Sequence, residues 1–152
     1  MRAVLQRVTS AGVTIQGKET GKIGTGILVL LGIAVDDTRA QCDYLCDKIT
    51  NLRIFEDEDG KLNRSLVDIK GELLLVSQFT LYGDCKKGRR PSFLQAARPE
   101  TAIPLYEYMI ERIRQTGIHV ETGTFGADML VSLKNDGPVT ILLDTDEIMP
   151  RP

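Results

Sequence analysis

The sequence has no tryptophan, a single histidine and three cysteines in 152 residues. Each scarcity removes a class of chemistry or of fold. With His119 as the one imidazole, a Ser-His-Asp arrangement would have to use it, and no G-x-S-x-G elbow is present. A lone histidine inside a strand pattern reads as a surface or packing residue. No G-x-G-x-x-G or Walker A loop occurs. An odd number of cysteines without regular spacing argues against a disulfide framework. The longest apolar run, Ile27 to Val35, is too short to span a bilayer, so no membrane partner is expected. The opening MRAVLQRVTSAG carries charge and no apolar h-region, so it does not read as a signal peptide, and the expected compartment is the cytoplasm. A net charge of −2 supplies no basic field for long nucleic acid, so no DNA partner is expected and an RNA contact would be local.

What is present suits one ordinary domain over residues 1–152, with 42% hydrophobic and 26% charged residues. Arg2 to Val8 reads as a strand, Ser10-Ala11-Gly12 as a turn, and Val13 to Gln16 as the returning strand. Ile27 to Val35 is apolar on both faces and predicts a buried central strand. Thr38 and Gln41 have the spacing of a capping box. Cys42, Leu45, Cys46, Ile49 and Leu52 then follow at helical spacing, which predicts a helix from about Thr38 to about Leu52. Glu56 to Gly60 is a polar turn, and Glu72 to Ser77 a second apolar strand. A second helix is expected from near Thr101, with Pro104 in its first turn and Gly117 as its stop. Ile118 to Glu121, Leu130 to Lys134 and Val139 to Asp144 read as strands. About seven strands and two main helices, not regularly alternating, predict an α+β domain with a mostly antiparallel, barrel-like sheet.

Few residues invite chemistry. Cys42 and Cys46 lie on an apolar stripe, where core packing is favoured over ligation. Cys85 beside Lys86 and Lys87 is a more reactive thiol without a resolving partner. The acidic turn lacks calcium-loop spacing. Two segments stand out. Ser77-Gln78-Phe79-Thr80-Leu81 ends an apolar strand, where free N–H groups could receive an oxyanion; simple fraying explains it equally. Asn135-Asp136-Gly137-Pro138-Val139-Thr140 reads first as a hairpin turn; the other reading is a rigid Gly-Pro corner that fixes carbonyl oxygens in a pocket. Lys86-Lys87-Gly88-Arg89-Arg90-Pro91 is a basic loop directly after the first segment, suited to a phosphate near a site.

These two segments resemble the SQFTL and NxGPVT motifs of the D-aminoacyl-tRNA deacylases. The similarity also takes in Met1 to Val8, Tyr82-Gly83-Asp84 through Arg90-Pro91-Ser92-Phe93, and Phe125 to Met129. It runs from the first residue to about Asp144. The resemblance implies a homodimeric hydrolase acting on the 3′ end of an aminoacyl-tRNA, with the site at the subunit interface and no metal or organic cofactor. It implies catalytic roles for Gln78, Phe79 and Thr80, and substrate contacts for Ser77, Phe125 and Met129. It implies a cis Gly137–Pro138 bond that enters the partner's pocket and rejects L-amino acids, so that D-aminoacyl-tRNA, and glycyl-tRNA mischarged on tRNA(Ala), would be cleaved. A non-catalytic RNA-end-binding module and a cysteine- or metal-dependent hydrolase are the readings it competes with.

Overall fold

A computed structural model describes residues 1–150. Its centre is β1 (Arg2–Ile15), a 14-residue strand. On one edge β1 pairs antiparallel with β3 (Gly26–Gly32) over Arg2 to Val8, then with β2 (Lys18–Ile23) over Ala11 to Ile15. On its other edge it pairs antiparallel with β8 (Leu130–Asp144). Beyond β3 lie β6 (Glu72–Ser77) and β7 (His119–Thr122), both joined in parallel. A separate hairpin consists of β4 (Phe55–Glu56) and β5 (Leu62–Arg64). The fold is the expected α+β type. The pairing is mostly antiparallel, with two parallel joints that composition alone does not announce. The sheet curls until β2 meets β7: a Cβ on Gly21 would lie 3.0 Å from the Thr122 carbonyl oxygen.

The expected turn at Ser10 to Gly12 does not exist. The chain runs straight on, and the register with β8 slips at Thr9, where Val8 and Ser10 face consecutive β8 residues. One extra residue moves side chains to the opposite face. Met1, Ala3 and Leu5 therefore face the helices, while Val8, Ala11 and Val13 face a second core inside the curl with Ile23, Leu28, Leu74 and Val76. The strand reversal occurs instead at Gln16 and Gly17, both at positive φ. β3 and β6 are buried on both faces, as their apolar runs predict.

The helix-side core is covered by α1 (Arg39–Asn51) and α3 (Pro99–Arg114). Thr38 caps α1 with Gln41 in the predicted capping box. Cys42 and Cys46 pack in the core, and burial pushes their thiols up to about 12 and about 11. α3 begins earlier than expected, because Pro99 supplies a preset first residue. Pro104 is therefore inside the helix rather than in its first turn. It is tolerated because it lies on the solvent face. Two four-residue helices, α2 (Leu66–Ile69) and α4 (Thr145–Ile148), complete the elements. Among the described residues, no helix is long and apolar enough to cross a membrane.

Candidate functional site

The end of β6 builds the first part of the site. The Gln78 N–H still donates to the Leu31 carbonyl at 2.7 Å, and the chain then turns at once into a 3-10 helix, Phe79–Tyr82. Gly32 makes room for it, since a Cβ there would lie 3.1 Å from Leu81 and 3.2 Å from the Gln78 carbonyl oxygen. The first N–H groups of a helical turn have no carbonyl behind them. Leu81 N–H donates back to Gln78, but the N–H groups of Phe79 and Thr80 find no acceptor among the described residues. The fraying reading is thereby excluded in favour of an ordered turn with two free donors. The Gln78 carboxamide donates to the Thr80 hydroxyl, so the half-buried Gln78 and the exposed Thr80 hold each other. Phe79 is 54% exposed and meets Phe93 edge-on, with ring centroids 5.1 Å apart.

Opposite the turn runs the loop between β7 and β8. Phe125 is seated against Tyr106, and the Tyr106 hydroxyl donates to the Leu75 carbonyl at 2.7 Å, which ties loop, α3 and β6 together. The result is an open cleft of about 280 Å³ lined by Val76, Ser77, Gln78, Phe79, Phe125 to Met129 and Val131. Sequence reasoning placed Ser77, Gln78, Phe79, Phe125 and Met129 in one site, and the fold brings them to this cleft. Thr80, also placed in the site, does not line the cleft; it is exposed at the next position, its hydroxyl held by Gln78. The cleft presents apolar faces for a planar ring and two unengaged backbone donors at its rim.

Gly137 and Pro138 are elsewhere in the chain. The hairpin-turn reading of this segment is overturned: β8 is continuous, and residues 136–139 bulge from it opposite Arg7 alone, between the pairs Gln6–Thr140 and Val8–Asn135. Gly137 has φ +125° and the Gly137–Pro138 bond is cis. Four side chains hold the bulge. Asn135 accepts the Val139 N–H at 3.1 Å and donates to Gln6 at 2.8 Å. Thr140 donates to the same Gln6 oxygen at 2.5 Å. Arg7, buried beneath, donates to the carbonyls of Asp136 at 3.0 Å and Ile54 at 2.8 Å. Sequence reasoning missed Arg7. Its signal was a charge in the inward-facing row Met1, Ala3, Leu5, Arg7, since arginine is almost never buried without a task.

The two segments do not meet within one chain. Ser77, on β6, is level with Leu31 and Ala3, whereas the bulge, on β8, is level with Arg7, and β3 and β1 lie between the two strands. Neither Gly137 nor Pro138 lines the cleft. β8 nonetheless exposes nearly its whole length, including Leu130, Leu133 and Leu142.

Other candidates fall outside the cleft. His119 pairs with Glu121 at 2.8 Å at the far end of β6 from Ser77, beside a cavity of about 620 Å³ near Glu72 and Lys70. Asp57 in the acidic turn is occupied by N–H groups of Asp59 and Lys61. Among the described residues, no three His, Cys, Asp or Glu side chains gather as a metal-binding group.

Residues 4–144 match the family model described as D-Tyr-tRNA(Tyr) deacylase. The chain is 60% identical over 148 residues to the D-aminoacyl-tRNA deacylase of Syntrophomonas wolfei subsp. wolfei, covering 97% of this chain and 99% of that protein. It is 58% identical over 147 residues to the one from Thermus aquaticus, covering 97% of each. A solved structure described as c-Myc DNA Unwinding Element Binding Protein superposes with TM-score 0.89 at 46% identity, over 95% of this chain and 98% of that one. Another, described as a probable eukaryotic D-amino acid tRNA deacylase, gives TM-score 0.81 at 20% identity over 93% of this chain and 97% of that one, a likeness of fold.

Proposed function

The chain belongs to the D-Tyr-tRNA(Tyr) deacylase family and is a hydrolase of D-aminoacyl-tRNA, and we propose that it works in the cytoplasm as a homodimer whose sites are each completed by the partner chain. The observation that carries this reading is the cleft itself. Ser77 to Phe79 and Phe125 to Met129 come from distant parts of the chain and wall one opening, at whose rim two backbone N–H groups are unengaged.

The terminal adenosine lies against Phe125 and Met129, with the ester carbonyl at the Phe79–Thr80 turn. Water attacks that carbonyl, the electron pair moves to its oxygen, and the N–H groups of Phe79 and Thr80 receive the negative charge. Losing one such donor typically costs about 3 kcal/mol of barrier. Gln78 and Thr80 orient the water and the ester. No side chain of this chain stands there as an evident base, and the substrate's ribose 2′-hydroxyl assists instead. The tetrahedral intermediate then collapses, expelling the ribose 3′-oxygen, which takes up a proton to leave free tRNA and the free amino acid.

The Gly137–Pro138 corner of the second copy supplies selection. Its backbone is exposed and firmly braced by Arg7, Asn135 and Gln6, which suits a part that must hold position in another chain's pocket. Carbonyl oxygens there occupy the space that an L side chain requires, which costs at least a hundredfold in rate (about 3 kcal/mol). Glycine offers nothing at that position, so glycyl-tRNA mischarged on tRNA(Ala) is a substrate too. The long exposed face of β8 supports the dimer.

Comparing hydrolysis of D-tyrosyl-tRNA and L-tyrosyl-tRNA by the purified protein tests the reading. The expected result is release of D-tyrosine at least about a hundredfold faster. Equal or faster cleavage of the L ester would remove the selecting corner. Binding of tRNA with hydrolysis of neither ester would leave a non-catalytic RNA-end-binding module.

A further inference from the structure

The segment after the catalytic turn is the most concentrated positive charge on a chain whose net charge is −2. Asp84 and Ser92 close it as a hairpin with two backbone bonds of 2.7 and 2.9 Å, and the Asp84 carboxylate accepts the Lys86 N–H at 3.0 Å. At its tip stand Lys86, Lys87, Arg89 and Arg90, all exposed. None has a carboxylate partner among the described residues. Six other arginines do: Arg2, Arg7, Arg64, Arg98, Arg112 and Arg114. Cations left together without counter-charge repel one another, and a polyanion relieves that repulsion.

The hairpin is also fixed relative to the cleft. Phe93, directly after Ser92, is the ring that packs edge-on against Phe79 of the turn. A second opening of about 460 Å³ lies at the hairpin's foot, lined by Arg2, Tyr82, Asp84, Cys85, Lys86 and Gln95. The catalytic cleft touches the start of the Phe79–Tyr82 turn and this opening touches its end. Four residues of 3-10 helix span roughly 8 Å, so the two openings follow one another along the surface.

We propose that this hairpin and the opening at its foot hold the phosphates of the unpaired 3′ strand that leads to the ester-bearing nucleotide. The inference rests on the deacylase reading and adds a second contact region to it. Flexible lysines and unpaired arginines contact phosphate without reading bases, so the grip is independent of sequence. It explains how a weakly acidic protein engages RNA: the cations are gathered where only the strand entering the cleft passes.

Two measurements test it. The first compares kcat/KM for D-tyrosyl-tRNA and for 3′-O-D-tyrosyl-adenosine, which has no phosphates, across a salt series. The Lys86→Gln/Lys87→Gln and Arg89→Gln/Arg90→Gln proteins should lose about tenfold on the tRNA at low salt, with a log–log salt slope shallower by about 0.7 for each phosphate no longer held. They should match the native protein on the adenosine ester. Unchanged salt slopes on tRNA overturn the proposal, as does an equal loss on both substrates, which would mean that the hairpin merely shapes the turn. Failure of the native protein on both esters is a different result and strikes the deacylase reading itself.

The second measurement needs no activity. Cys85 is exposed while Cys42 and Cys46 are buried, so alkylation reports on the hairpin alone. Uncharged tRNA should slow iodoacetamide labelling of Cys85, and tRNA trimmed of its single-stranded 3′ end should not. Identical labelling rates with and without intact tRNA, or equal protection by the trimmed form, refute it.

Discussion

The two signature segments solve opposite problems. Ser77 to Leu81 extends a strand buried on both faces, and its turn is shaped wholly by its own chain: Leu31 receives Gln78, Gly32 makes room, and Phe93 backs Phe79. It faces a cleft whose far wall the same chain supplies with Phe125 and Met129. Asn135 to Thr140 is held no less firmly, by Arg7, Gln6 and its own Asn135, yet it presents its Gly-Pro corner to open solvent. One segment has its structure and its object in the same chain. The other has only its structure. A backbone corner braced at such cost by a buried arginine, with nothing of its own chain to act on, points to a surface outside that chain.

The largest effect should come from separating the two segments onto different chains. The Gln78→Ala/Thr80→Ala protein lacks the polar side chains of the turn. Gly137→Val cannot keep its conformation, because φ is +125° and a Cβ would lie 2.9 Å from both the Arg7 guanidinium and Val139. The first should be nearly inactive alone, and so should the second, because a displaced corner obstructs the partner's cleft instead of fitting it. Mixed in equal amounts, with exchange verified, they should recover about a quarter of native activity, since half the dimers are mixed and each has one intact site of two. No recovery would place both segments' work within single chains and break the contrast.

Next in size is the brace. Arg7→Ala leaves the carbonyls of Asp136 and Ile54 without their donor, which should lower stability by about 2 kcal/mol in denaturant titration. The same variant should lose selectivity, with the D-to-L rate ratio falling more steeply than the D rate. Arg7→Lys should restore stability in part and selectivity poorly, because a single ammonium cannot bridge two carbonyls as a planar fork does. An unchanged D-to-L ratio in Arg7→Ala would show that the bulge keeps its shape without it.

On the other side of the comparison, Phe125→Ala removes a ring from the cleft wall without touching the turn. KM for the adenosine ester should rise about tenfold with kcat nearly constant, as stacking on one aromatic is worth about 1–3 kcal/mol. A fall in kcat alone would mean that Phe125 shapes the turn rather than contacts the substrate.

The smallest effect belongs to a site remote from both segments. Asp43 links α1 to α3 by accepting from the Tyr108 hydroxyl at 2.6 Å and from Arg112 at 2.8 Å. Those bonds, the Tyr108 one foremost, hold its carboxyl below the ordinary value of 3.8. A carboxylate with a depressed folded-state pKa stabilises above its unfolded pKa, and that contribution is lost as pH falls through the folded value. Asp43→Asn should thus lower Tm slightly at neutral pH, leave activity unchanged, and match the native protein in acid well below pH 3.8. A gap in Tm that persists there would assign the effect to packing.

Much of this was legible from residue patterns, for reasons of range. Capping at Thr38, the cysteine-bearing stripe of α1 and the doubly buried strands β3 and β6 depend on neighbours a few positions away. The errors share one cause. Ser10-Ala11-Gly12 and Asn135 to Pro138 both carry turn residues, and both proved to be irregularities within long strands. Small and turn-forming residues serve a bulge as well as a reversal, and only pairing to another strand decides between them. Pro104 was misplaced likewise, since Pro99 starts the helix earlier than the apolar stripe suggests.

By itself, then, the order of residues determined the family and the α+β class and, through the resemblance, pointed to five residues that wall the cleft, because apolar periodicity and short motifs are local properties that survive without coordinates. Tertiary structure alone decided which N–H groups remain free, that Arg7 lies beneath the bulge, and that the Gly-Pro corner does not line its own chain's cleft. Those facts depend on strand register, and register is set by pairing between residues more than a hundred positions apart, such as Arg2 with Asp144.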